Sequence, residues 1–108
     1  MRTPILIALT LLTTTARAQN ADHGKHLFMA DGCYQCHGTV GQGTVAAPRL
    51  APDPLPAEAI AQYIRKPTSV MPPYVEKVLS DQDIRDIQAY LASMPQPKPL
   101  HDIPLLAP

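Results

Sequence analysis

The chain has 108 residues with nine basic and nine acidic side chains, a formal charge of zero, and so lacks the basic excess that a nucleic-acid-binding surface needs. Its aromatics are one Phe and four Tyr, with no Trp, which is thin material for the core of so small a domain and predicts a staple of some kind.

At the start, Arg2 precedes an apolar run from Ile5 to Leu12, and Ala16-Arg17-Ala18 follows it. This order reads as a secretory signal peptide over residues 1–18, cleaved after Ala18, with the periplasm as destination. The run is too short to span a bilayer. An uncleaved anchor is the competing reading, weakened by Thr10, Thr13, Thr14 and Thr15. Without Arg2 and Arg17 the mature chain has seven basic against nine acidic residues, a formal charge of −2. One domain over residues 19–94 and a Pro-rich extension over 95–108 account for the rest.

Asn20 or Asp22 caps a first helix running to about Asp31, with Leu27 and Phe28 inward and Gly32 ending it. Gly24 lies one turn before Phe28, and a glycine inside a helix costs about 1 kcal/mol against alanine. Its presence predicts that another element crosses closely there. A tolerated defect near a frayed end is the alternative.

Cys33-Tyr34-Gln35-Cys36-His37 follows. A Cys-x-x-Cys-His run is the mark of covalent haem attachment. On one helical turn Cys33 and Cys36 stand on one face, where their thiols can add to the two haem vinyl groups. His37 lies on the same face and reaches the iron as proximal ligand. Two other chemistries compete. A thioredoxin-type dithiol would follow a strand in a βαβ pattern, and no strand-like run precedes this one. A structural zinc site would need a fourth ligand, for which His23, His26 and His101 are the candidates without zinc-like spacing. Under the haem reading both cysteines are used, so no disulfide is left even in an exported protein.

Residues 38–48 hold Gly38, Gly41 and Gly43 and no charge, which reads as a loop wrapping one side of the cofactor. Asp53-Pro54-Leu55-Pro56 introduces a second helix from about Ala57 to Lys66, stopped by Pro67, with Ile60, Tyr63 and Ile64 inward. Ser80-Asp81-Gln82-Asp83 has the form of a capping box with Asp in place of Glu, and the helix it opens runs to about Ser93. Ile84, Ile87 and Leu91 form its buried stripe, flanked by Tyr90 and Met94. No run alternates with period two, so the fold class is all-α: three to four short helices around one bound haem.

The iron's second axial position decides between electron transfer and ligand chemistry. Met71 is the candidate, in a loop stiffened by Pro72 and Pro73, whereas Met29 and Met94 lie on helices where Met is commonly core filler. A Met71 that packs on the haem without bonding, or a histidine ligand, are the alternatives. In the tail, Leu100, Ile103, Leu105 and Leu106 stand between prolines. They read either as a disordered, polyproline-like extension or as a strip lying along the domain or a partner.

The order of N-terminal helix, Cys-x-x-Cys-His, Pro-x-Leu, Met in a Pro-bearing loop and C-terminal helix resembles the class I c-type cytochromes over about residues 21–94. The resemblance implies the cytochrome c fold and one haem c, covalent through Cys33 and Cys36. It implies that the carbonyl of Pro48 accepts from the His37 imidazole and raises its basicity, and that Leu50 packs on the haem. It further implies that Gly24 and Phe28 cross Ile87, Tyr90 and Leu91. The short span between His37 and Met71 is similar to compact bacterial members and implies a more exposed propionate edge. A lysine-rich docking ring is not visible. The Met-Pro-Pro-Tyr loop resembles electron-accepting subunits of periplasmic dehydrogenases.

The function these features imply is periplasmic electron transfer, with no catalytic residues of its own. The partner is a redox protein: a dehydrogenase, an oxidase or another cytochrome. A haem-based sensor or peroxidase with a displaceable Met71 is the alternative, for which Tyr74 is the acid or base at hand. Residues 38–48 and 67–74 contain no Asp, Glu, Lys or Arg, which predicts an apolar docking face. Val45, Ala46 and Ala47 could instead line the cofactor from inside.

Overall fold

The computed structural model describes residues 18–105; the expected export signal, apart from Ala18, lies outside the described residues. Helix α1 spans Ala21–Ala30, α2 is the single turn Cys33–His37, α3 spans Ala57–Arg65 and α4 spans Asp81–Ala92, with a 3-10 turn at Leu100–Asp102. Among the described residues there is no strand.

Each helix starts and stops for a local reason. Asn20 caps α1 by accepting from the His23 N–H at 3.0 Å, which satisfies one of the donors orphaned at a helix start. Pro54 and Pro56 keep the chain extended before α3, and the Pro56 carbonyl accepts from the amides of Ala59 and Ile60. The capping box opening α4 is closed in both directions. Ser80 Oγ accepts from the Asp83 N–H at 3.2 Å, and Asp83 Oδ2 accepts from the Ser80 N–H at 2.8 Å. Asp is long enough to serve where Glu is usual.

The core lies where α1 crosses α4. Phe28, Ile84, Ile87, Tyr90 and Leu91 are buried there, and the rings of Phe28 and Tyr90 meet in a tilted contact with centroids 5.7 Å apart. Gly24 is the closest point of approach. A Cβ on it would overlap the Asp86 carbonyl and stand 2.7 Å from the Ile87 nitrogen. The close crossing expected from the glycine is therefore present, and the frayed-end alternative is not, since Gly24 is buried.

The same crossing buries a charge. Asp86 is 4% exposed, and its carboxylate accepts from the Asn20 N–H at 2.9 Å and the Gln82 amide at 2.9 Å while pairing with His23 Nδ1 at 2.8 Å. Burial pushes its pKa up. The hydrogen bonds from His23, Asn20 and Gln82, with the His23 charge, outweigh that and leave it below the ordinary aspartate value.

Helix α3 packs on α4 through Ile64, while Ile60 is half-buried and Tyr63 is 42% exposed. The expected inward face holds together, since Ile60, Tyr63 and Ile64 all line one cavity, with Ile64 the deepest and Tyr63 at its open side. Beyond α4, Gln96 donates to Asp53 at 2.9 Å and fastens the start of the tail. Leu100 and Leu105 are exposed and Ile103 is half-buried, so the strip does not lie on the domain at those two leucines.

Candidate functional site

The cysteine motif forms the helical turn that its spacing predicts. Gly32, at φ 78°, supplies the left-handed residue that lets the chain leave α1 and enter α2 at once. Cys36 and His37 line a cavity of about 510 Å³ together with Pro48, Leu50 and Met71. Cys33 is half-buried on the same turn and packs against the core cluster. Burial, and next the negative charge of Asp31, push its thiol pKa up to about 11. A thiol so protonated is a poor nucleophile at neutral pH, which argues against dithiol redox chemistry, where a lowered pKa is needed.

His37 is oriented through its rear nitrogen. Nδ1 lies 2.8 Å from the Pro48 carbonyl; since a carbonyl only accepts, Nδ1 is the donor, and in the neutral imidazole this tautomer leaves the Nε2 lone pair for a metal. The loop that brings Pro48 there is itself tied to the end of α2. The Gly43 N–H donates to the His37 carbonyl at 2.8 Å, and Thr44 Oγ1 donates to the Cys36 carbonyl at 2.6 Å. These bonds satisfy the carbonyls that a helix C-terminus leaves open. Gly43 is required by this fold-back, with φ at 82° and a Cβ position only 2.7 Å from the Arg49 nitrogen. Tyr90 of α4 donates to the Thr39 carbonyl at 2.8 Å and holds the other end of the loop.

Met71 enters the cavity lining from the loop after α3. All three helix-and-loop methionines, Met29, Met71 and Met94, pack against the core cluster, but Met29 and Met94 do not line the cavity. Tyr74 is half-buried and its hydroxyl donates to the Asp31 carbonyl at 2.7 Å. Burial, then the nearby Cys33, Asp31 and Cys36, push its pKa up, so the hydroxyl is a committed donor and a poor base. Hydrogen bonds with Ser69 and Thr68 hold the exposed Tyr63 hydroxyl below its ordinary range.

The cavity suits a haem by size and chemistry. It falls within the usual 300–1,000 Å³ of cofactor sites, roughly, and is walled mainly by apolar side chains with a few polar groups. The His37 imidazole, the Met71 thioether and the Cys36 thiol all line it, groups that suit iron ligation by nitrogen and sulfur and attachment to a haem vinyl group; Cys33 is on the same turn but outside the lining. Ala46 and Ala47 form part of the wall, as one reading of that loop expects. Val45 does not line the cavity and is fully exposed, while Val70 sits on the rim at 96% exposure. Sequence reasoning passed over Arg49 and Asp53, charged residues flanking the neutral loop and also lining the cavity, and Leu91 of α4. A second hollow of about 310 Å³ between α3 and α4, lined by Glu58, Arg65, Asp81 and Arg85, has no soft ligand.

A family profile described as "Cytochrome C oxidase, cbb3-type, subunit III" matches residues 19–91. No curated protein and no solved structure matches the chain. The matched segment contains Cys33, Cys36, His37, Pro48, Leu50 and Met71, the whole expected site.

Proposed function

The chain belongs to this family of c-type cytochrome domains, with haem c covalent through Cys33 and Cys36, and from that premise we propose that it is a periplasmic electron carrier whose iron is ligated by His37 and Met71. The observation that carries the reading is that His37 and Met71 line one apolar cavity, whereas Met29 and Met94 do not. When bound, haem c supplies a one-electron couple, and everything else is the work of the chain. The Pro48 carbonyl fixes the imidazole tautomer and raises its basicity. The Met71 thioether favours the reduced state and raises the potential. Leu50, Ile60, Ile64 and Leu91 give the site an apolar wall.

Sensor or peroxidase chemistry needs a polar group free to act beside a displaceable Met71. Tyr74 is taken up by Asp31, which weighs against it. The partner is a redox protein that meets the rim formed by residues 38–48 and 67–74, where Val45 and Val70 are exposed. A second reading, a haem subunit held within an enzyme, has support from the exposed Leu100 and Leu105 and from the family's description as an oxidase subunit.

Met71→Ala tests the ligand assignment. It should abolish the sulfur-to-iron charge-transfer band, lower the potential and open the reduced protein to carbon monoxide. Retention of the band in Met71→Ala with its loss in Met29→Ala would assign the wrong methionine.

A further inference from the structure

The segment carrying Met71 is closed at its base by a set of hydrogen bonds that the reading above does not use. Residues 65–73 leave α3 and return at Tyr74, whose N–H donates to the Ile64 carbonyl at 2.8 Å. The half-buried Arg65 guanidinium then spans the base. Nη1 donates to the Tyr74 carbonyl at 2.8 Å, and Nη2 donates to the Leu79 carbonyl at 2.7 Å and reaches Asp81 at 3.2 Å. On the other side, the Tyr74 hydroxyl donates to the Asp31 carbonyl at 2.7 Å, just before the turn bearing Cys33 and Cys36. One tyrosine therefore joins the Met71 loop to the attachment turn by its side chain and to α3 by its backbone.

We propose that Arg65 and Tyr74 are positioning residues that hold the Met71 loop against the haem face and so set how long the iron–sulfur bond lasts. The inference rests on the reading of Met71 as axial ligand. The physical case is that Met71 itself is held weakly from within its loop: its N–H meets Ser69 Oγ at 3.4 Å, a long contact. The Met71 side chain is half-buried against the core cluster, but Val70, Pro72 and Pro73 beside it are exposed, so the backbone that carries Met71 is fixed chiefly through the hydrogen bonds at the ends of the loop. Arg65 is suited to this because one planar guanidinium serves two carbonyls at fixed angles, which a lysine cannot reproduce. Asp81, 62% exposed, is a peripheral partner.

The test is the rate at which cyanide binds the oxidised, haem-loaded protein, because cyanide enters only when Met71 leaves. Tyr74→Phe keeps the ring and removes one hydrogen bond, so the rate should rise about fivefold. Arg65→Lys should raise it about tenfold or more, since bonds from a charged donor are the stronger kind. Asp81→Asn should leave it within about twofold. Ile84→Val, a core change on α4 that lowers the unfolding midpoint without touching the loop, supplies the control for mere loosening of the fold. It should not change the cyanide rate, and the unfolding midpoints of all four variants are measured alongside. Unchanged rates in both Tyr74→Phe and Arg65→Lys, in a wild type that shows the sulfur-ligated band, would overturn this inference alone. So would an equal rise in Ile84→Val. A wild type without that band would overturn the Met71 reading and this inference with it.

Discussion

Gly24→Ala is a severe perturbation in this fold for a reason specific to the crossing of α1 and α4. On helix propensity alone the change should stabilise by about 1 kcal/mol. The added carbon, however, would overlap the Asp86 carbonyl and approach the Ile87 nitrogen to 2.7 Å, whereas an ordinary contact needs roughly 3.5 Å or more. Both obstacles are backbone atoms inside a helix, so no rotamer change relieves them. The helices must part, and a gap of roughly 0.5–1 Å forfeits a quarter to a half of the dispersion between the faces. Phe28, Ile87, Tyr90 and Leu91 carry that loss. Overpacking of this kind costs about 1–3 kcal/mol, and the rigid obstacles place it at the upper end. Net of the helical gain, about 2 kcal/mol should be lost, lowering the thermal midpoint by roughly 8–16 °C in a domain of this size. Thermal and denaturant unfolding of the haem-loaded protein measure it. A change within about 0.5 kcal/mol, or a stabilisation, would show that the crossing is not as close as described.

Electron-transfer rates with the native partner should vary little with salt, because the rim loops carry no charge and expose Val45 and Val70. Val45→Asp should slow transfer about tenfold or more; a steep salt dependence in the wild type would indicate charged docking instead. The Asp86 carboxyl has a folded pKa below the ordinary value of 3.8, so its contribution to stability is complete above that value and is lost as pH falls through the lower folded one. Asp86→Asn should therefore remove part of the acid limb of the stability curve below about pH 4, measured by denaturant titration across pH. An unaltered limb in the variant would mean that the buried pair is not what titrates.

The parts of the fold that were legible from sequence are those fixed locally. The turn Cys33–His37, the capping box at Ser80 and Asp83, and the stops at Gly32 and Pro67 depend on neighbours a few residues away. Gly24 was legible because a glycine in a helix needs an explanation from outside it. Asp86 was not read, although an acid beside Ile84 and Ile87 on the buried stripe is a break in pattern. Its partners Asn20 and His23 lie over 60 residues away, and periodicity carries no such information. The base of the Met71 loop was hidden for the same reason, since Arg65 spends its donors on backbone carbonyls that any residue could supply. The helical spacing turns Tyr63 inward with Ile60 and Ile64, and all three line the cavity, but a cofactor wall and a core ask for the same apolar stripe, so spacing alone does not tell the two apart.

The proposal that stands or falls by one measurement is that both axial positions are taken by this chain's own side chains, His37 and Met71, which would make the protein an electron carrier with its iron closed to small ligands. Carbon monoxide added to the reduced, haem-loaded wild type tests this most directly. Ligation by both residues predicts an absorption spectrum unchanged over minutes at saturating gas, and one that shifts at once in Met71→Ala. Rapid and complete carbon monoxide uptake by the wild type would contradict the account and point to ligand chemistry at an open iron.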